Sequence, residues 1–485
     1  MKEGLPKTIY HRLGTEDVSV KVFDETGKEV KAEVNVRNDQ RITIRSSADV
    51  DNARIVVDGK VLSRSNPLKI IGETSLRVLM GVKNVAISYT ETNGSTLPGY
   101  KPGTNYLGMD RLSAAGAPGF PFVLGWQDKD FAWRASENGW LSTDTTLNAP
   151  YALTHNENLT IRSTIEPFPG LRIELNGTRT YAKNHSELYL ANRQGNFGAY
   201  NPLSTGSFSI SIISIGSAFE KSNSDNDYLS EAFEQFKNNR IIIAQRLANN
   251  RAKGSSLGYN PNVVDAENFP DGYSSLSQEV LLPAFLAAYT NKPASSIGLS
   301  DFKSIPMPNW QVTYDGLAKL KMFKSFLRTF TLTHGYRSVY TIGSFTSNLD
   351  YWAEEDGFSY VRDKQDINFL PKREIVNVSI SEQFSPLIGM DMNWHNSLTT
   401  RAEVKSSRSL ALSLANNQLS EIKSWEYIIG AGYRFENVPL IFGSSAGKQR
   451  TLKSDLRLRV DLSIRNNQTI MRKLVEDTNT PIAGQ

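Results

Sequence analysis

The 485-residue chain has no cysteine, only 5 histidines and no apolar run approaching the length of a membrane helix. Without thiols there are no disulfides and no thiolate metal sites. A helical span needs about 20 consecutive apolar residues. The oiliest stretch, Val280–Tyr289, is half that length and contains Pro283. Helical membrane spans are therefore excluded. Charge of one sign is missing too: 54 basic against 50 acidic residues leave a net +4, with no basic stripe suited to nucleic acid. The beginning, Met1-Lys2-Glu3-Gly4-Leu5-Pro6, lacks the apolar core of a signal peptide. The end, Asn479–Gln485, reads as a turn and not as a closing strand. The chain is expected to be a piece of a longer one.

What is present is alternation. From Ser454 to Arg465, Leu456, Leu458, Val460, Leu462 and Ile464 fall on one face of a period-2 strand. Asp455, Arg457, Arg459 and Asp461 fall on the other. Strands of this kind recur, aromatics reach 10%, and mean hydropathy stays at −0.37. A membrane β-barrel has that profile, because its apolar residues alternate with polar ones. The aliphatic set is assigned to lipid and the charged set to a hydrated lumen.

Residues 11–80 stand apart. Val18–Phe23, Val30–Val36, Ile42–Ile44 and Arg54–Val57 read as short strands separated by Glu25-Thr26-Gly27-Lys28 and Asp58-Gly59, a small immunoglobulin-like sandwich. Residues 81–485 read as about a dozen longer strands. Long connections (91–157, 181–308, 338–372) alternate with short ones (167–170, 316–325, 385–388), the arrangement of a transmembrane barrel with its short turns periplasmic. The 91–157 and 181–308 segments are expected as loop or cap insertions. The second should hold helices over Leu229–Asn249 and Ser277–Tyr289. Trp310, Trp394, Trp425, Tyr336 and Phe435 are placed near strand ends, where an aromatic girdle would lie.

Catalytic chemistry is not expected, and neither is a cofactor or metal. Gly443-Ser444-Ser445-Ala446-Gly447 matches a nucleophile elbow in form, but Lys448-Gln449-Arg450 leads into another strand and not a helix. The histidines (His11, His155, His185, His334, His395) show no metal-ligand spacing.

Blocks of residues then point to a family. They are Met80–Val85 with Ser88-Tyr89, Leu97–Tyr100, Tyr106–Asp110, Gly119–Gln127, Leu281–Tyr289, Pro306–Trp310, Leu332–Tyr336, Ser385–Gly389 and Asn416–Leu419. In order and spacing, from about residue 80 onward, they resemble the C-terminal part of the SprA/Sov family. These are the gliding-motility and cell-surface outer-membrane translocons of the Bacteroidetes type IX secretion system. The resemblance implies a very large single-chain barrel in the outer membrane of a Gram-negative bacterium that passes folded cargo outward. It also implies three partners: cargo with a C-terminal sorting domain, a PorV-like partner barrel and a periplasmic plug protein. The alternatives are another outer-membrane barrel of the TonB-dependent receptor kind, or a soluble multidomain β adhesin. The first would need a plug and TonB box, which residues 1–80 do not show.

Overall fold

The computed structural model describes residues 1–13, 15–59, 80–109, 118–442 and 450–482. Half of the chain is strand and 14% is helix. It divides into two units, Met1–Arg77 and Val78–Gln485.

The first unit has two three-stranded antiparallel sheets. One orders β1 (Pro6–Tyr10), β5 (Arg41–Ser46) and β4 (Ala32–Asn38). The other orders β3 (Glu29–Val30), β2 (Val18–Phe23) and β6 (Arg54–Gly59). Val22 from one sheet and Ile42 and Ile44 from the other are fully buried against each other, with Ile9 and Val57 packed at the margin. This is the sandwich expected from the sequence, with one correction. It begins before residue 11, because Ile9 on β1 pairs with Ile42 on β5. A five-residue strand opening on proline carries too little alternation to be recognised alone.

The second unit is built on a 12-stranded antiparallel sheet with β7 and β18 as its outer strands. In chain order the strands are β7 (Val82–Thr96), β8 (Tyr151–Phe168), β9 (Leu171–Ala191), β10 (Phe197–Ser211), β11 (Asn309–Tyr314) and β12 (Leu327–Ser347). They continue with β13 (Arg373–Ile375), β14 (Asn377–Trp394), β15 (Leu398–Ser413), β16 (Gln418–Phe442), β17 (Arg450–Lys473) and β18 (Thr478–Ile482). Two long connections, 97–150 and 348–372, leave one end of the sheet, and the third, 212–308, leaves from its middle. Short turns, such as Pro169-Gly170 and His395–Ser397, close the other end.

Several expected boundaries shift. Strands β7 and β8 run to Thr96 and from Tyr151, so the first insertion is 97–150 and not 91–157, and it carries helices α1 (Phe120–Val123) and α2 (Phe131–Glu137). The second is 212–308 and not 181–308, because β9 continues to Ala191 and β10 returns to Ser211. Tyr181, Lys183 and His185 looked like loop only because this half of the sheet is charged. The 385–388 segment is a bulge inside β14, where Phe384 opposes Ser406 and Ile388 opposes Val404; a bulge places turn-forming residues within a strand. Ser406–Ser409 likewise continues β15, and the tail forms β18 instead of a turn. Gly443–Gly447, the elbow-like motif with Ser445, lies outside the described residues.

One position in the sheet is broken. Between β9 and β12, β10 occupies the long-loop half and β11 the short-turn half. The 212–308 insertion leaves from this break. It is closed where Met307 N donates to Ser211 O and Ser211 Oγ donates to Met307 O, at 2.9 and 2.7 Å. The insertion folds into a cap. Helix α3 (Glu231–Gly254) starts at Ser230, whose hydroxyl accepts from Phe233 N; Glu231 and Glu234 sit in its first turn and Arg251 and Lys253 in its last. Each charge opposes the helix dipole at its own end. Helix α4 (Gln278–Tyr289) is buried on every side from Val280 onward. A short, wholly apolar run is thus a core helix, pressed between α3 and the sheet. Phe233, Phe236 and Phe285 pack there with Tyr340, Ile342, Ile380 and Leu412. Fully burying one such side chain contributes about 1.5–3 kcal/mol.

Candidate functional site

Register carries the alternation of a single strand across the whole sheet. Leu458, Val460, Leu462 and Ile464 on β17 stand beside Tyr433, Ala431, Ile429 and Tyr427 on β16. These continue to Leu398, Thr400, Ala402 and Val404 on β15, then to Met392, Met390 and Ile388 on β14. Leu332 on β12 pairs with both Met390 and Tyr314. Val312 on β11 follows beside Ile173 on β9, then Ile165 and Ile161 on β8 and Ile87 on β7. The result is one apolar belt across the short-turn half of one face. It is uncovered: Val460 is 74% exposed, Ile87 69% and Ile429 66%. Nine residues from Leu456 to Ile464 span roughly 30 Å of strand, or roughly 20–25 Å of height at the usual barrel tilt.

Aromatic side chains border the belt above and below. On the short-turn side, Phe168 meets Tyr314, Phe326 stacks on Trp394, and Tyr433 meets Phe435, with ring centroids 6.0, 5.6 and 4.8 Å apart. On the other side, Trp310 stacks on Tyr336 at 4.3 Å. Tyr336 touches Phe384, Phe384 touches Phe219, and Phe219 reaches Trp425. The five aromatics singled out from sequence all join these rows, but Tyr336, Trp425 and Phe435 lie well inside their strands and not near the ends. The strands run on past the belt, so the row and the strand end are different places.

The opposite face is predominantly polar, with Ile422 and Ile428 on β16 and Val339 on β12 among its apolar exceptions. The sequence-assigned Asp455, Arg457, Arg459 and Asp461 lie on it, in register with Arg434, Gly432 and Gly430 on β16 and Thr399 and Arg401 on β15. Ion pairs cross it: Arg459–Asp461 at 2.7 Å, Arg434–Asp455 at 2.9 Å, Arg465–Glu426 at 3.2 Å and Arg172–Glu174 at 2.6 Å. Gly430 makes room for one of them. A side-chain carbon there would meet Asp461 Oδ1 at 2.1 Å. Above this charged zone the face is lined by small hydroxyl residues, among them Ser379, Ser381, Ser407, Ser409 and Ser420.

Sequence reasoning missed what covers the belt face above the upper aromatic row. Glu382, Arg408, Glu421, Lys423 and Arg472 point the same way as the belt residues, yet they are buried beneath the cap. Glu382 pairs with Arg408 at 2.9 Å, and Glu421 with Arg472 at 2.6 Å and Lys423 at 3.1 Å. Ser214, at the root of the cap, donates to Glu382 Oε1 at 2.6 Å, and Tyr336 donates to the same oxygen at 2.9 Å. The cap therefore sits on the belt's face of the sheet, not on the polar one. Glu421 and Lys423, two positions apart on β16 in line with its belt residues, were the available signal.

The histidines hold structural positions. His334 lies within the belt face of β12, and its Nδ1 is 2.7 Å from the Leu387 carbonyl freed by the β14 bulge. His185 lies between Ser204 and Glu187, and His155 between Asn93 and Glu157. Among the described residues no group of three His, Asp or Glu side chains could hold a metal ion. No helix among them is long and apolar enough to cross a membrane, which says nothing of crossing by strands. No protein-family model matches the chain, and no curated protein matches it.

Proposed function

We propose that residues 78–485 form part of the wall of a large outer-membrane β-barrel through which folded proteins pass outward. This is the type IX secretion translocon implied by the SprA/Sov resemblance. The observation that carries the reading is the apolar belt between two aromatic rows, backed by a predominantly polar face that carries ion pairs on β9 and β14–β17. Lipid is the solvent that an uncovered belt of that height fits, and water fits the other side. On this reading the short turns are periplasmic, and the cap stands outside the cell on the outer flank of the wall. The polar face offers a passage with few apolar holds for a folded cargo. The protein acts as a conduit and not as an enzyme. Its partners are cargo with a C-terminal sorting domain, a PorV-like barrel and a periplasmic plug.

Deleting the gene in its host should trap sorting-domain cargo in the periplasm, and the intact gene should restore export. Cargo reaching the surface normally in the deletion strain would end the proposal. Detergent-free solubility as a monomer would favour the adhesin instead.

A further inference from the structure

A cavity of about 560 Å³ opens on the belt face just above the upper edge of the belt, on β7, β8 and β9. Its floor is the row Asn93, His155 and Lys183, which is in register across the three strands. That row lies four residues, or roughly 13 Å along the strand, beyond the row of Tyr89 and Leu159 at the belt margin. Its roof is the segment Leu124–Lys129 of the first insertion. The roof is fixed by Gln127, whose Nε2 donates to the Gly94 and Gly125 carbonyls at 3.2 and 2.8 Å. Trp126 at the mouth is 67% exposed.

The charges in the cavity are unbalanced. Lys129 and Lys183 face each other and have no ion pair or hydrogen bond among the described residues. The other charged groups acting on half-buried Lys183 are Lys372 and Arg373, which are also cationic. Glu91 is the one carboxylate among the cavity-lining residues, against two lysines. Glu91 accepts from Asn93 and Tyr89 at 2.7 and 3.1 Å, Glu157 is tied to Arg179 at 2.6 Å, and Glu187 faces His185 at 3.3 Å. Half-buried Lys183, with the exposed Lys129 beside it, carries a charge whose desolvation a bound anion would offset. Beside them, Trp126 and Tyr181 line the cavity with aromatic surface for an apolar ring face.

From this placement, and resting on the membrane reading above, we propose that the cavity binds a phosphorylated sugar. The two lysines would take the phosphate and the aromatics the ring. The same chemistry is carried by an outer-leaflet glycolipid headgroup and by a soluble sugar phosphate. The height above the belt matches a headgroup, with the acyl chains lying along Ile87, Ile161 and Ile173.

The test uses the full chain purified from membranes and the Lys129→Gln/Lys183→Gln variant, both reconstituted in liposomes. The probes are bisphosphorylated lipid A, its dephosphorylated form, and glucosamine 1-phosphate. Native mass spectrometry should retain the bisphosphorylated lipid on the unaltered chain at least tenfold more than on the variant, and tenfold more than the dephosphorylated lipid. A Lys129→Arg/Lys183→Arg variant should restore retention. Equal capture of glucosamine 1-phosphate would support the site with a soluble ligand. Retention independent of the lysines or of the phosphate overturns the site while leaving the barrel reading intact. Failure of the chain to insert into any liposome overturns both.

Discussion

Arg472 on β17 donates from Nη2 to Oε2 of Glu421 on β16 at 2.6 Å, and both side chains are fully buried beneath the cap. The guanidinium also reaches Ser222 Oγ and Asn479 Oδ1, at 2.9 and 2.7 Å. Two strands, the cap and β18 thus meet on one charge. Removing one partner of a buried pair leaves the other uncompensated, at a cost of about 3–5 kcal/mol. Arg472→Met should lower the unfolding midpoint sharply. Arg472→Met combined with Glu421→Leu should recover most of the loss. A double variant as weak as the single one would show that the pair is not the source.

The belt makes a depth-dependent forecast. Arginine on a lipid face costs about 2–4 kcal/mol at mid-membrane and about 0–1 near the interface. Val460, halfway along the β17 alternation, should therefore tolerate arginine worse than Leu456 beside Phe435. Leu458→Arg should impair assembly far more than Arg459→Leu on the polar face. Yield of heat-modifiable, membrane-inserted protein reads both comparisons, and equal yields would count against a lipid-facing belt.

The cap is held by apolar packing, so it should be released by a cavity. Phe285 is fully buried among α3, α4 and the sheet. Phe285→Ala should cost about 3–5 kcal/mol. Limited proteolysis should then cut within 212–308 while the strands stay protected. In the unaltered protein that region should resist cleavage.

Cap stability should also respond to pH. Burial, with the Asp301 carboxylate nearby, pushes Glu279 in the first turn of α4 up to about 7, against an opposing effect of Arg251. The folded cap therefore holds a proton that the unfolded chain releases near its ordinary value of 4.5. Its stabilisation is complete below 4.5 and is lost as pH rises through about 7. Hydrogen exchange of the α4 amides, corrected for intrinsic rates, should quicken across that window, and Glu279→Gln should flatten the response.

For a conduit, residues once weighed as chemical should be dispensable. Ser445→Ala, His185→Ala and His334→Ala should each leave cargo export near the unaltered level. Export abolished by Ser445→Ala in a correctly assembled protein would require a catalytic account.

What the sequence determined alone is what each residue's immediate neighbours decide. Side chains in a strand point alternately up and down whatever lies beyond. The two faces of Asp455–Arg465 were therefore legible, as were the α3 and α4 segments and the small sandwich. Where a strand continues depends on the strand beside it. Pro386–Gly389 and Ser406–Ser409 look like turns, yet Ser406–Ser409 pairs with β14 and β16 throughout, and the first is a bulge between Phe384 and Ile388, both of which pair with β15. The break between Ser211 and Asn309 is likewise visible only once β9 and β12 flank both pieces. The same holds for what covers a face. Ile464 and Arg472 share a side of β17, and nothing in their spacing says that one is open and the other buried. The cap, brought over the sheet by a 97-residue insertion between Ser211 and Asn309, draws that boundary, because a charge on that face is tolerated only where a paired partner and a protein cover replace water.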